Sequence, residues 1–153
     1  MTTMANPCPL CEKLARIRAG ARDPSLVAEL PETFVMLAED QRYEGWCLLA
    51  LKDHEEHLEA LPVERQAAIF RDVARVGKAI QAAFGPDRLN LECLGNLLAH
   101  VHWHVIPRYR AWDPDPSNTI WVRPAQERAV GCAPARRDEL VARVCAALAE
   151  VRV

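Results

Sequence analysis

The chain has 153 residues, half of them hydrophobic and 26% charged, which suits one globular domain with its own core. A formal net charge of −2 argues against bulk attraction to nucleic acid or to an anionic membrane. No apolar run approaches the ~20 residues of a membrane-spanning helix, and "MTTMANPCPLCEK" lacks the basic and apolar regions of a signal peptide. The expectation is a cytoplasmic protein, with no membrane or nucleic-acid partner, whose six cysteines are thiols rather than bridges.

In chain order, "CEKLARIRAG" reads as a short helix ending at Gly20. "ETFVMLA" and "GWCLLAL" read as apolar, central strands joined by the polar segment "EDQRYE". From Pro62 to Phe84 the period changes: Ile69, Val73, Val76, Ile80 and Phe84 recur every three or four residues, one face of a long helix closed by "GP" at 85–86. "RLNLECL" and "LLAHVHWHVIPR" follow as strands. A proline-rich stretch from Arg110 to Arg137 is an ordered loop or arm, and "RDELVARVCAALAEV" closes the chain as an amphipathic helix. Strand pairs flanking a helix predict an α+β fold with an antiparallel sheet. Cys47, Cys93 and Cys145 sit among apolar residues and are expected in the core, while Cys132 is open to either placement. No glycine-rich phosphate loop occurs.

Three of the five histidines alternate in "HVHWHV". Alternate side chains of a strand share a face. His100, His102 and His104 therefore form a row of imidazoles spaced about 6–7 Å along the strand, while Val101, Trp103 and Val105 face the core. Such a row can bind metal, move protons or attack an electrophile. An edge strand with histidines as ordinary polar surface, and a purely metal-binding row, stand as alternatives.

"CPLC" places Cys8 and Cys11 at the spacing of a zinc hairpin, which is also that of thioredoxin-like redox sites. The redox motif needs a preceding strand, and only seven residues precede Cys8. Two cysteines with two histidines would close a tetrahedral structural zinc site. Two unligated thiols are the plainer alternative.

"HVHWHVI" followed by "PRY" resembles the His-x-His-x-His-x-x motif of the histidine-triad (HIT) superfamily. "GWCLLALKDHEEHLEAL" is similar to the family's glycine, strand and Lys-x-His segment. "LNLECLGNLLAH" resembles its approach to the triad, and "CPLC" resembles the cysteine pair of its zinc-containing branch. The resemblance spans roughly residues 8 to 122. It implies a HIT-like α+β fold: a five-stranded antiparallel sheet with one long helix, here with short N-terminal and C-terminal helices, usually as a homodimer. The expected organisation is one domain over 1–153, with 123–153 as a C-terminal arm and helix.

The resemblance also implies a chemistry. A small-molecule nucleotide is cleaved at its α-phosphate through a nucleotidyl-histidine, with His102 as nucleophile and His104 on the phosphate. Asn96 and Gly95 are candidates for the phosphate, and Asp40 and Asn90 for other nucleotide contacts. Asp40 is displaced from the position near Ala38 where many members carry their ribose contact, and Leu51 replaces a frequent proline. Zinc, in a structural role, would be held by Cys8, Cys11, His54 and His100; His57 inherits no role. Dinucleoside polyphosphates are the favoured substrates and nucleoside phosphoramidates the second. Splitting the reaction into two displacements on an imidazole, nucleophilic near neutral pH, makes each step easier. His102 then needs an outer hydrogen bond, expected from a backbone carbonyl, to expose its attacking nitrogen. Two alternatives remain: a zinc-stabilised nucleotide-binding or interaction protein without significant turnover, and a metalloenzyme with all three triad histidines on one metal.

Overall fold

A computed structural model of the chain describes residues 8–124 and 131–152. Its centre is a five-stranded antiparallel sheet in the order β1-β2-β3-β5-β4. The strands are β1 (Leu26–Glu29), β2 (Thr33–Leu37), β3 (Cys47–Leu51), β4 (Arg88–Glu92) and β5 (His102–Arg108). The helices are α1 (Pro9–Arg18), α2 (Val63–Phe84) and α3 (Pro134–Glu150). Short 3-10 turns at Leu58–Ala60 and Ile120–Val122 complete the fold.

Register divides the sheet into two chemically different faces. Val35, Leu49, Trp103 and Val105 point one way and pack under α2 and α3 in the main core. The stripe read in the sequence is the buried face of α2: Ile69, Val73, Val76 and Ile80 are 0–1% exposed. Burying side chains of this size stabilises by roughly 1.5–3 kcal/mol each. The helix ends at Gly85, whose φ of 59° suits glycine and whose N–H closes on the Gln81 carbonyl. Arg143 of α3 reaches across, donating to the Ala83 carbonyl at 2.7 Å and lying 4.3 Å over the Phe84 ring. The C-terminal helix thus contributes Leu140, Val144 and Leu148 to the same core.

Phe34, Met36, Leu48 and Ala50 share the other face with His102 and His104. Helix α1 covers part of it, with Leu10 and Leu14 against Phe34, Met36 and Ala50. The strands read in the sequence all form, but β1 was not among them. It is four residues bracketed by Pro24 and Pro31, with a bulge between Leu26 and Ala28, too short for a periodic signal. Helix α1 begins at Pro9 rather than Cys11, because proline is tolerated in the first turn. Strand β5 begins at His102, so His100 lies in the bend before it.

Cys47 is fully buried as expected, and Cys145 is half-buried against the core. Cys93 is exposed, since β4 has already ended at Glu92 and the chain has turned into a loop. The proline-rich stretch is an arm running from Tyr109 to the turn at Ile120–Val122; residues 125–130 lie outside the described residues. Among the described residues no helix is long and apolar enough to cross a membrane.

Candidate functional site

The histidine face carries two neighbouring groups of side chains, joined through His100. Cys8 stands just before α1 and Cys11 in its first turn, so the two thiols gather at one end of the helix. They meet His54, from the segment after β3, and His100, from the bend before β5. The four candidate ligand atoms lie within 4.8 Å of one another. Cys8 Sγ is 3.4 Å from His100 Nδ1, Cys11 Sγ is 3.5 Å from the same nitrogen, and Cys11 Sγ is 3.3 Å from His54 Nδ1. Ligands about 2.0–2.3 Å from a tetrahedral ion sit roughly 3.5 Å apart, so these separations fit a single small cation.

The outer contacts also fit. His100 Nε2 donates to the Leu51 carbonyl at 2.9 Å, which leaves Nδ1 bare and turned to the thiols. Burial and the neighbouring His54 push His100 below the usual imidazole range, favouring the neutral, ligating form. His54 Nε2 has the Glu56 carboxylate 3.7 Å away. His57, with no inherited role, is exposed beside Glu59. Among the described residues this cluster takes in His100 but neither His102 nor His104, so the triad does not converge on one metal.

His102 and His104 form the second group. His102 lies opposite Ala50 and His104 opposite Leu48, so a small and then an apolar neighbour leave their rings room. The rings stand 5.2 Å apart and nearly perpendicular, at 79°. His102 Nδ1 donates to the His100 carbonyl at 2.6 Å, the backbone contact expected from the sequence. A carbonyl only accepts, so the neutral ring carries its proton on Nδ1 and its lone pair on Nε2. His104 is pushed down to about 4, mainly by burial and further by His102, and is neutral at pH 7.

A cleft of about 430 Å³ opens beside His104. Met36, Leu48 and Leu10 make its apolar floor, Trp46 and Trp121 its walls, and Lys13, Glu39 and Asp40 its polar rim. Trp46 donates from Nε1 to His104 Nδ1 at 3.3 Å. Its placement comes from the β2–β3 connection. Gln41 donates to the carbonyls of Ala38 and Trp46, and Gly45 turns with a φ of 93° where a Cβ would come within 2.7 Å of the Phe84 ring. Trp121 arrives on the arm, its ring 5.2 Å from His104 and 5.9 Å from Trp46. Glu92, opposite His104 on β4, receives the Trp121 indole N–H and the Thr119 hydroxyl, which fastens the arm over the site. At the arm's base, Arg108 donates to Asp113 at 2.6 Å and to the carbonyls of Asn118 and Asp115 at 2.6 and 2.7 Å.

The remaining residues singled out from the sequence lie around these groups. Asp40 lines the cleft but is paired with Arg42 at 2.6 Å. Asn90 sits opposite Ile106 on β4, outside the set that lines the cleft. Gly95 and Asn96 are exposed on the loop after β4 and line a second hollow of about 470 Å³ with His57, Glu59 and His100. Sequence reasoning missed Trp46, Trp121 and Glu92. Trp46 gave no signal because it opens a stretch that reads as an apolar strand, and Trp121 gave only a large apolar ring in a proline-rich stretch with no obvious core to fill.

Comparison with known proteins agrees with this architecture. Residues 20–111 match the HIT domain family. The chain is 30% identical over 114 residues to "Protein hit" of Bacillus subtilis (strain 168), covering 71% of this chain and 76% of that protein. A histidine triad protein from Marinobacter aquaeolei VT8 superposes with a TM-score of 0.73 at 22% identity, covering 96% of this chain and all of the other (100%). A Zn-bound histidine triad family protein from Mycobacterium smegmatis superposes with a TM-score of 0.65 at 21% identity, covering 94% of each. Membership of such a family supports a nucleotide-binding or hydrolase-type function. The alternating histidines, the five-stranded sheet that presents them and these matches lead to one conclusion: the chain belongs to the HIT domain family.

Proposed function

We propose that the protein is a nucleotide hydrolase or transferase that cleaves at the α-phosphate of an adenosine-type nucleotide through a nucleotidyl-His102 intermediate. One observation carries this reading: His102 donates from Nδ1 to the His100 carbonyl and so, as a neutral ring, has a bare Nε2, and its ring stands beside that of His104, which lines an apolar cleft. A reacting phosphorus needs an in-line nucleophile and donors around its oxygens. His102 supplies the first, and His104 supplies the second, with Asn96 and Gly95 of the loop after β4 as further candidate donors. The cleft takes the nucleoside between Leu48 and the tryptophans, with Asp40 and Asn90 as its outlying polar contacts. Dinucleoside polyphosphates come first as substrates and nucleoside phosphoramidates second.

In this reading zinc is held by Cys8, Cys11, His54 and His100, as the ligand spacing supports. It ties α1 to the residue whose carbonyl orients His102, and takes no part in bond breaking. A homodimer belongs to the same reading. Phe70 on α2 and Leu91 on the edge strand β4 are 50% and 48% exposed, apolar surface that a second copy would cover. A cytoplasmic location fits six cysteines that are all free thiols.

The test is AMP release from diadenosine polyphosphates and from an adenosine phosphoramidate by wild type and His102→Ala. Wild type turns over, and loss of the nucleophile slows it by about 10³-fold or more. Equal turnover by both proteins would refute the nucleophile. No turnover by folded wild type would favour a nucleotide-binding protein on the same fold.

A further inference from the structure

His102 and His104 are held in opposite tautomers. For His102, a carbonyl at Nδ1 leaves Nε2 bare. For His104, the partner at Nδ1 is the indole N–H of Trp46 at 3.3 Å. An indole nitrogen donates and never accepts, so Nδ1 of His104 must accept, and the neutral ring carries its proton on Nε2. An imidazolium at His104 would point a second N–H at the indole N–H, leaving two buried donors face to face. The surroundings act in the same direction. Burial in the cleft, and then the neighbouring His102, disfavour charge on His104. Trp121 covers its other side. Glu92, the carboxylate across the strand that could have favoured a cation, is occupied by the Trp121 and Thr119 donors.

We propose that Trp46 is a positioning residue that holds His104 as a neutral Nε2–H donor, so that the site serves leaving groups that depart as oxyanions, phosphate anhydrides rather than phosphoramidates. This rests on the nucleotidyl-His102 reading and narrows its substrate. A neutral imidazole can hydrogen-bond a phosphate oxygen but cannot give up its remaining proton near neutral pH. In the first displacement the bond between phosphorus and the leaving oxygen breaks, the electron pair departs on that oxygen, and a bond from Nε2 of His102 to phosphorus forms. No proton has to move, because the attacking nitrogen carries none. In the second, water attacks phosphorus, the P–N pair returns to Nε2, and the water's proton passes to solvent as the nucleoside monophosphate leaves. A phosphoramidate differs at the first step: its amine must gain a proton to leave, and this site holds no acid for it at His104.

Two measurements test the inference. In long-range 15N–1H NMR at pH 7, wild-type His104 shows the Nε2–H tautomer, and Trp46→Phe, which keeps a ring but removes the donor, shows a mixture of tautomers. In kinetics, wild type prefers a diadenosine polyphosphate over an adenosine phosphoramidate by about 10²-fold or more in kcat/KM, the lower range for a missing general acid. Trp46→Phe narrows that ratio through kcat rather than KM. A wild-type His104 that is charged or protonated on Nδ1 overturns the proposal without need of the variant. So does a wild type that uses both substrates through His102 and cleaves the phosphoramidate as fast, an outcome that leaves the nucleotidyl-His102 reading standing. If instead His102→Ala cleaves both substrates like wild type, the underlying reading fails with it.

Discussion

The ion pair at the root of the arm gives the sharpest energetic prediction. The side chains of Arg108 and Asp113 are 5% and 0% exposed, and the guanidinium lies 5.4 Å over the Tyr43 ring. Asp113→Ala removes the only carboxylate that the structure gives this buried cation among its described contacts, and also the acceptor for the Asp115 N–H at 3.1 Å. Leaving one member of a buried pair without its partner costs about 3–5 kcal/mol. Undocking of the arm lets water reach Arg108 and limits the loss, so about 3 kcal/mol is expected. Denaturant unfolding followed by far-UV circular dichroism measures it. Amide exchange at Ile120–Val122 should accelerate in the same variant, because the arm no longer holds Trp121 against His104. The double variant Arg108→Met/Asp113→Ala should recover at least half of the loss, since removing both charges is far cheaper than removing one. A loss below about 1 kcal/mol with unchanged exchange in the turn would refute the view that this pair anchors the arm.

Three further outcomes follow from other parts of the fold. Cys8→Ser should lower bound zinc well below that of wild type by elemental analysis and lower the midpoint of thermal unfolding; unchanged metal content would overturn the ligand assignment. Gly45→Ala should destabilise by about 1–3 kcal/mol in denaturant titration, because alanine is strained at a φ of 93° and its Cβ meets Phe84. His104 adds a pH dependence. Its folded pKa of about 4 lies below the usual 6.5, so the unfolded chain takes up the proton first, and stability falls as pH drops from about 6.5 towards 4. The loss is at most about 3 kcal/mol, and the fall should flatten in His104→Gln when stability is measured across that window.

What could be read from the sequence depended on whether a chemical signal travels within one element. The triad was legible because a strand's period of two is visible in "HVHWHV", and α2 because its apolar stripe runs through five positions. The cysteine pair was legible because its two-residue spacing is local, whereas His54 and His100 were named as its partners only through the resemblance to the family. Contacts between elements left little trace. Trp46 and His104 are 58 residues apart, and nothing local marks an indole as the partner of an imidazole. Arg108 and Asp113 are only five apart, yet their pairing depends on the arm folding back against Tyr43, which the proline content of that stretch does not specify. His100 was placed in register with its neighbours. The strand begins two residues later, which frees its ring for the thiols while its carbonyl serves His102.

The cysteine pair lies upstream of residues 20–111, the stretch that matches the family. Anyone trimming the protein to that stretch would keep every histidine of the triad and all five strands. The trimmed fragment would nonetheless lose half of a four-residue cluster, together with Leu10 and Leu14 from the cover of the histidine face. Inactivity of such a fragment would say nothing about His102. It would report on a His100 left without its thiols and on a core and cleft stripped of α3 and Trp121, and a protein judged by its motif alone would be misfiled as a degenerate copy of its family.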